Sequence, residues 1–303
     1  VYPSESPDLL PRTADGGADT PAGRMGQWKL PGHHEARATP EGLAVELAGN
    51  GDRIGGATDE GYFVYTERKG SWSLSGKLRW LERGGGNPEA RAGLMIRKDA
   101  HQAAAAGFTI FWNAGPDSRL GASAYTAWRA AMPGMMEFSP RIDDPYGRNR
   151  FEPGGEVWFR VTRLAPIHLF YSEWSIDGER WHLDSQKQIE MGETAAYGIA
   201  ITNGEDNGQW ARARVTEIKL EPAPPAAFRD FASREYRMGE PVEVQLPVFF
   251  SRETVQSVTV TETLPPEWKA VRCNAGGVIQ GDQIVWSLSY RKEPVTLTYS
   301  ALP

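Results

Sequence analysis

The feature that most constrains the fold is a series of short segments in which apolar and polar residues alternate, separated by clusters of turn-forming residues. Alternation at period two is typical of β-strands with one buried face, and many such strands at short spacing favour a sandwich or jelly roll. Helical periodicity is nearly absent, and the Ala-rich stretch KDAHQAAAAGF is the best candidate helix. The sequence therefore predicts an all-β protein.

A Pro-rich segment predicts where the chain divides. The stretch EPAPPAAF at 221–228 cannot be a central strand, because proline gives no backbone N–H to a sheet, and we interpret it as a stiff spacer. The N-terminal residues are rich in Pro, Gly, Ser and Asp and cannot form a core of their own, so we expect this protein's surface or another chain to hold them. The predicted parts are an extended arm (1–27), a large sandwich (28–221), a linker (222–228) and a small sandwich (229–303).

Several motifs occur in a fixed order between about residues 40 and 221: GGATDEGYFVYT, ARAGLMIRKD, YSEWSIDGERW, and AYGIAITN followed by ARVTEIKLE. In order and spacing they resemble the concanavalin A-like lectin/glucanase superfamily, and most closely its bacterial branch of laminin-G-like sandwiches of unassigned function. The resemblance implies a jelly roll of two antiparallel sheets, one of them concave, often with a glycan or a protein bound on the concave face or the rim loops. It does not imply an enzyme, because members of this branch are frequently appended modules.

The C-terminal part contains TETLPPEW, then GDQIVWSL, then VTLTYSA. This order resembles the small immunoglobulin-like repeats of bacterial surface proteins, which implies a second, smaller β-sandwich. We expect Trp286 to fill its core. Cys273 is the one cysteine of the chain, so no intramolecular disulfide can form, and we expect it to be a small buried or half-buried apolar side chain.

The stretch YSEWSIDGERWHLDS raises the question of catalysis, since Glu173, Asp177, Glu179 and His182 are titratable and close in sequence. An Asp-Gly pair is also a strong hairpin signal. The pattern S-x-D-G-x-x-W, which ends at Trp181, resembles the Asp-box turn of sialidase-type proteins, a structural hairpin that recurs in every propeller blade. One good copy argues against a propeller. We favour a structural turn with Trp174 and Trp181 paired across the strands.

Catalysis is one of three functional hypotheses, and the one that we favour least. Retaining glucanases of the superfamily carry E-x-D-x-x-E on one strand, and this string does not occur in the chain. We therefore expect no enzyme, and glycoside hydrolysis stays an alternative that would need carboxylates from distant strands.

Calcium is the one cofactor that the sequence suggests. The histidines show no ligand spacing, whereas two polar stretches carry the oxygen ligands that calcium prefers. Solvated turns have the same composition, so both interpretations stay open. The candidate ligands are Asp143, Asp144 and Asn149 in one stretch, and Glu205, Asp206 and Asn207 in the other.

The segment 124–155 is longer than the hairpin expected there. Long segments without regular structure are often functional, and aromatic and Met side chains are enriched in interface cores. Two interpretations stay open: these residues bind a partner, or they cap the sandwich's own core. The residues concerned are Tyr125, Trp128, Met132, Met135, Met136, Phe138 and Tyr146.

Two functional hypotheses remain beside catalysis. The first is a structural or interaction subunit that docks on a larger protein assembly, which could be membrane-bound, through the arm and the segment 124–155. The second is a glycan-binding module with aromatic platforms at Trp112, Trp128, Trp174 or Trp210. We favour the first.

Charge and hydropathy limit the other partners. The chain has 33 Lys and Arg against 39 Asp and Glu, a net charge of −6 that offers no general affinity for nucleic acid or anionic membrane. No apolar run is long enough to span a membrane. The chain begins at Val1 rather than Met, from which we expect an exported protein, periplasmic or extracellular, whose signal segment has been removed.

Overall fold

The computed structural model describes residues 32–40, 42–51, 54, 59–83, 89–100, 105–113, 124–130, 136–139, 155–204, 208–231, 237, 239–250, 256–291 and 293–303. It divides the chain between Pro222 and Ala223 into two compact units. In the described residues, the helical structure is a single 3-10 turn, Ala165–Ile167. The all-β prediction is confirmed. The predicted arm, 1–27, lies outside the described residues.

The described part of the first unit contains thirteen strands. They are, in chain order, β1 (Gly32–Thr39), β2 (Gly42–Gly49), β3 (Tyr62–Lys69), β4 (Trp72–Arg83), β5 (Arg91–Arg97), β6 (Gly107–Asn113), β7 (Ala124–Arg129), β8 (Glu137–Phe138), β9 (Val157–Leu164), β10 (Leu169–Ser175), β11 (His182–Gln188), β12 (Thr194–Thr202) and β13 (Ala211–Pro222).

The strands of the first unit form two antiparallel sheets. The seven-stranded sheet has the order β1-β2-β13-β4-β9-β10-β11, and the six-stranded sheet has the order β3-β12-β5-β6-β7-β8. Several neighbouring strands are distant in sequence, as in a jelly roll, so the position of one strand depends on contacts with remote parts of the chain. The predicted sandwich of two antiparallel sheets is thus confirmed.

The core of the first unit lies between the two sheets. Alternate residues of β4, β9 and β13 face alternate residues of β5, β6 and β12, because side chains along a strand point to opposite faces. The fully buried aromatic and aliphatic side chains of this cluster include Leu78, Ile110, Trp112, Phe159 and Tyr197. The remaining residues of the seven-stranded sheet form its outer face.

The second unit is a smaller sandwich. Its strands are β14 (Ala226–Ala227), β15 (Asp230–Phe231), β16 (Val242–Phe249), β17 (Ser257–Thr263), β18 (Lys269–Cys273), β19 (Val278–Gln280), β20 (Gln283–Ser289) and β21 (Val295–Leu302). A sheet with the order β14-β16-β21-β18, in which β15 also pairs with β16, faces a sheet with the order β17-β20-β19. Trp286 is fully buried in the core of this unit and donates a hydrogen bond to the carbonyl of Asn274 at 2.9 Å.

The predicted linker is partly built into strands. Strand β13 continues to Pro222, and Ala226 and Ala227 pair with Phe249 and Val248 as β14. The prolines do not prevent this, because Pro222 is the last residue of β13, beyond the part of that strand that pairs with β2, and β14 contains no proline. Cys273 is a free thiol and is half-buried, in agreement with the prediction. Its Sγ donates a hydrogen bond to the carbonyl oxygen of Gly277 at 3.2 Å.

Candidate functional site

A line of facing residues crosses the outer face of the seven-stranded sheet. Arg160 on β9 lies opposite Ser75 on β4 and opposite Glu173 on β10, and Glu173 in turn lies opposite Leu183 on β11. Residues that face each other in register share one face of a sheet, so these side chains are neighbours. Ser75, Arg160 and Glu173 are half-buried, and Leu183 is 50% exposed. The outer face therefore presents polar groups to solvent.

Arg160 is held by two contacts. Its Nε donates a hydrogen bond to Oε2 of Glu173 at 2.6 Å, and its Cζ lies 4.0 Å from the ring centroid of Trp181. The stacking and the ion pair together fix the plane of the guanidinium group. The side chains of Arg160 and Glu173 are 27% and 16% exposed, so solvent reaches both.

Trp158 lies beside this pair. It is two residues before Arg160 on β9, which puts it on the same face about 7 Å along the strand. Lys77 lies opposite it in register, with Nζ 5.5 Å from the ring centroid, and also pairs with Glu156 at 3.2 Å and Glu217 at 3.3 Å. The half-buried indole of Trp158 thus has charged neighbours.

The turn between β10 and β11 packs against Trp158. Ser175 Oγ accepts hydrogen bonds from the backbone N–H groups of Asp177 and Gly178, and Oδ1 of Asp177 accepts them from Glu179 and Arg180 at 2.9 and 2.8 Å. The backbone hydrogen bond from Arg180, followed by those from Glu179 and Ser175, lowers the pKa of Asp177 to about 2. The Asp-box motif is a structural turn, as predicted.

The aromatic pair of this hairpin differs from the prediction. Trp174 lies opposite His182 and stacks on it with ring centroids 4.6 Å apart, whereas Trp181 contacts Arg160. The connection spans 176–181, longer than a two-residue turn about Asp177 and Gly178, and Trp181 therefore precedes β11 instead of belonging to it.

A polar cluster connects the edges of the two sheets. Thr126 on β7 bonds Ser172 on β10 at 2.6 Å and also donates to Asp184 on β11, which accepts a second hydrogen bond from Ser139 at 3.1 Å. Burial raises the pKa of Asp184, and the hydrogen bonds from Thr126 and Ser139 lower it in part. Each hydroxyl group of the cluster has a hydrogen-bond partner, so the cluster can be understood as a structural link between the two sheets.

An ion-pair cluster lies on the face of the six-stranded sheet that points away from the core between the two sheets. Asp59 accepts a hydrogen bond from Arg97 at 2.5 Å and two from Arg129 at 3.0 Å, and all three side chains are buried. Gly107 of β6 lies between Arg97 of β5 and Arg129 of β7, so no side chain separates the two guanidinium groups at this position of β6.

The predicted partner-binding residues are mostly buried within the chain itself. Tyr125 and Trp128 belong to β7 and Met136 precedes β8, and all three are buried. Lys187 lies over the ring of Trp128 at 4.2 Å. These three residues thus belong to the buried clusters of the chain itself, and both faces of β7 are covered. Phe138 is 45% exposed, whereas Met132, Met135 and Tyr146 lie outside the described residues.

The predicted glycan platforms have different environments. Trp112 is 0% exposed in the core between the sheets, so the prediction that it offers a face to a sugar is wrong. Trp128 is buried too. Trp174 is half-buried against the core and against His182, and Trp210 is half-buried near the start of β13.

The candidate calcium ligands Asp143, Asp144, Asn149, Glu205, Asp206 and Asn207 lie outside the described residues. Within the described ranges, no three His, Cys, Asp or Glu side chains are grouped so that they could hold a metal ion. No helix in the same ranges has the length and the apolar character needed to cross a membrane.

Sequence reasoning did not select Trp158, Arg160 or Lys77. The signal was available in part: in EVWFRVTRL, Val157, Phe159 and Val161 alternate with Trp158 and Arg160, which places the latter two on the face opposite the core. The partners on β4 and β10 follow only from the long-range register.

No protein-family model matches the chain, and no curated protein matches it. Among solved structures it is similar to a functionally unknown protein from Saccharomyces cerevisiae, with 16% identity, 63% of this chain and 97% of that chain covered, and a TM-score of 0.46. Basic winged bean lectin with Tn-antigen has 8% identity, 61% and 92% coverage, and a TM-score of 0.38. The GH43 protein BlXynB from Bacillus licheniformis has 13% identity, 58% and 32% coverage, and a TM-score of 0.40, so this chain spans about a third of that protein. Similarity at this level assigns no function.

Proposed function

We propose that the chain is a non-catalytic glycan-binding protein whose ligand lies on the outer face of the seven-stranded sheet, over Trp158, Arg160 and Glu173. The observation that carries the proposal is the placement of a half-buried tryptophan next to a fixed Arg160–Glu173 pair on a solvent-accessible sheet face. Sugars combine apolar ring faces with many hydroxyl groups, so an indole beside charged hydrogen-bonding groups fits them.

The chemistry of the nearby carboxylates supports binding without hydrolysis. A general acid needs a carboxyl group whose pKa is raised, and the pKa of Asp177 is lowered to about 2 by the turn that it stabilises. Glu173 is held in its ion pair with Arg160. Incubation with the glycan that binds best, followed by chromatography of the products, tests this part of the proposal; turnover would contradict it.

Glycan binding itself is tested by screening the full chain on a glycan array and measuring affinity for each ligand found. We expect Trp158→Ala to weaken binding at least about tenfold, as is common when a contacting aromatic side chain is removed. Trp268→Ala is the matched control, because Trp268 is a half-buried tryptophan of the second unit. Equal loss in both variants, or retention in both, would contradict the proposed site.

A second candidate is the interaction subunit that docks on a larger assembly. The exposure of Phe138 at 45% and Leu183 at 50% favours it. The burial of Tyr125, Trp128 and Met136 does not. Co-purification of a Phe138→Ser, Leu183→Ser double variant with its native partners tests it, and retention of every partner would contradict it. The extracytoplasmic location stays a prediction that cell fractionation can check.

A further inference from the structure

The ion pair between Arg160 and Glu173 uses only one nitrogen and one oxygen of the two groups. Nε of Arg160 and Oε2 of Glu173 are bonded to each other at 2.6 Å. In the part of the chain that the structure describes, no atom forms a hydrogen bond with Oε1 of Glu173 or with Nη1 and Nη2 of Arg160. The pair thus offers one acceptor and two donors side by side on the outer face.

These open atoms are complementary to two neighbouring hydroxyl groups. A carboxylate oxygen only accepts hydrogen bonds and a guanidinium group only donates them, whereas a hydroxyl group does both. One hydroxyl can donate to Glu173 while the adjacent one accepts from Arg160. We infer that the Arg160–Glu173 pair binds a vicinal diol of a neutral glycan, an inference that rests on the proposed function and names its ligand class.

The pair is prepared for this role before any ligand binds. The guanidinium group is planar, and the stacking on Trp181 at 4.0 Å fixes its orientation. Arg160 and Glu173 also lie directly opposite each other on two paired strands, so the backbone sets their separation. A binding site on paired strands is more rigid than one on loops, and less freedom is lost on binding. Trp181 is therefore a positioning residue.

The charges around the pair favour a neutral ligand. The ion-paired groups of this face are three cations and four carboxylates: Lys77, Arg160 and Arg214 against Glu46, Glu156, Glu173 and Glu217. The whole chain carries a net charge of −6. A chain rich in sulfate or uronate groups would be repelled by these carboxylates and by the protein as a whole.

Recognition of a vicinal diol makes binding depend on the linkage of the glycan. Inside a pyranose chain linked through O4, the hydroxyl groups on C2 and C3 are free and adjacent. Inside a chain linked through O3, the free hydroxyl groups on C2 and C4 are separated by the linkage and no vicinal diol remains. The protein should therefore prefer neutral glycans linked through O4.

The test uses the full chain and isothermal titration calorimetry with soluble β-glucan oligosaccharides linked through O4 or through O3. Both are prepared as methyl glycosides and methylated at the linkage position (O4 or O3) of the non-reducing residue, so that the O3-linked ligand has no vicinal diol at its ends. We expect binding to the first and at least about tenfold weaker binding to the second, the effect of losing one hydrogen bond to a charged group. Periodate cleaves vicinal diols, so prior oxidation of the O4-linked ligand should abolish binding. Neutral O4-linked xylan and mannan oligosaccharides serve as further ligands in case the monosaccharide differs.

Variants assign the effect to the pair. We expect Glu173→Gln and Arg160→Lys to remove the preference for O4 linkage, and Trp181→Phe, which keeps a ring under the guanidinium group, to retain it. Each variant's melting temperature is measured alongside. Equal affinity for O3-linked or oxidised ligands, or binding of sulfated or uronate glycans alone, would overturn this inference and leave the proposed function standing. Failure to bind any glycan would overturn both.

Discussion

Gly178 lies so close to the indole of Trp158 that a Cβ atom on Gly178 would be 2.9 Å from Cε2 of Trp158. The turn between β10 and β11 and the tryptophan on β9 thus hold each other in place. Gly178 also has a φ of +76°, a conformation that favours glycine. The position of Trp158 on the outer face therefore depends on a residue outside that face.

Gly178→Ala should destabilise the first unit and weaken glycan binding, because the new methyl group meets the ring of Trp158. Gly192→Ala is a matched control, since Gly192 has a φ of +75° and nothing lies within 4 Å of the place that its Cβ atom would take. We expect Gly178→Ala to lower the free energy of unfolding by at least about 1 kcal/mol more than the control. Equal losses in urea titrations would show that Trp158 moves away freely.

The hydrogen bonds to Asp177 predict a loss of stability in acid. Its pKa is lowered from 3.8 to about 2, so the stability that the carboxylate provides is present above the higher value and disappears as the pH falls to the lower one. Asp177→Asn should therefore be less stable than the parent near neutral pH, and the difference should shrink between about pH 4 and pH 2. Thermal unfolding at several pH values measures it. A difference that does not change with pH would exclude the carboxylate's charge as the cause.

The contribution of Asp184 to stability should depend on pH in the opposite direction. Burial raises its pKa above 3.8, so the folded protein loses stability as the pH rises from that value through the raised pKa. Asp184→Asn keeps an acceptor for Thr126 and Ser139 without the buried charge, and we expect it to match or exceed the parent's stability at neutral pH.

Asp184→Ala is the contrasting variant. It leaves the hydroxyl groups of Thr126 and Ser139 without this acceptor, which should cost about 1–3 kcal/mol. Chemical unfolding of both variants at pH 7 and in acid separates the effect of the charge from that of the hydrogen bonds. An Asn variant as unstable as the Ala variant would contradict the expected effect of burial.

Trp128→Ala should lower the free energy of unfolding by about 3–5 kcal/mol, because the side chain is buried in the core between the sheets. Phe138→Ala should lower it by less, about 1 kcal/mol, since Phe138 is 45% exposed and its ring packs edge-on against Tyr125. Differential scanning calorimetry compares the two. A stable Trp128→Ala variant that fails to bind a partner would restore the interface interpretation of this residue.

The sequence predicts most clearly those strands whose two faces differ in polarity. The alternation in EVWFRVTRL and WSLSGKLRWL corresponds to β9 and β4. The segment AYTAWR does not alternate, because both faces of β7 are buried, and we interpreted it as part of a long loop. Local composition could not distinguish a strand buried on both faces from a loop, since the residues that cover the second face of β7 come from remote parts of the chain.

The candidate site could be predicted only in part for the same reason. Because side chains alternate between the two faces of a strand, the sequence places Trp158 and Arg160 on one face. The pairing of Arg160 with Glu173, however, depends on the register of β9 and β10. The register between β10 and β11 shifts at Ser172 and Glu173, which moves Trp174 opposite His182. A bulge of this kind has no clear signature in a single sequence.

The shared carboxylate of Asp59 limits how the six-stranded sheet can change during evolution. Replacing Asp59 alone would leave Arg97 and Arg129 buried next to each other without the group that bonds both, and replacing either arginine would leave the carboxylate with fewer donors. Substitutions at the three positions should therefore be strongly non-additive. A lineage that loses one of them would be expected to replace all three, so the trio should be inherited or lost as a unit among relatives of this chain.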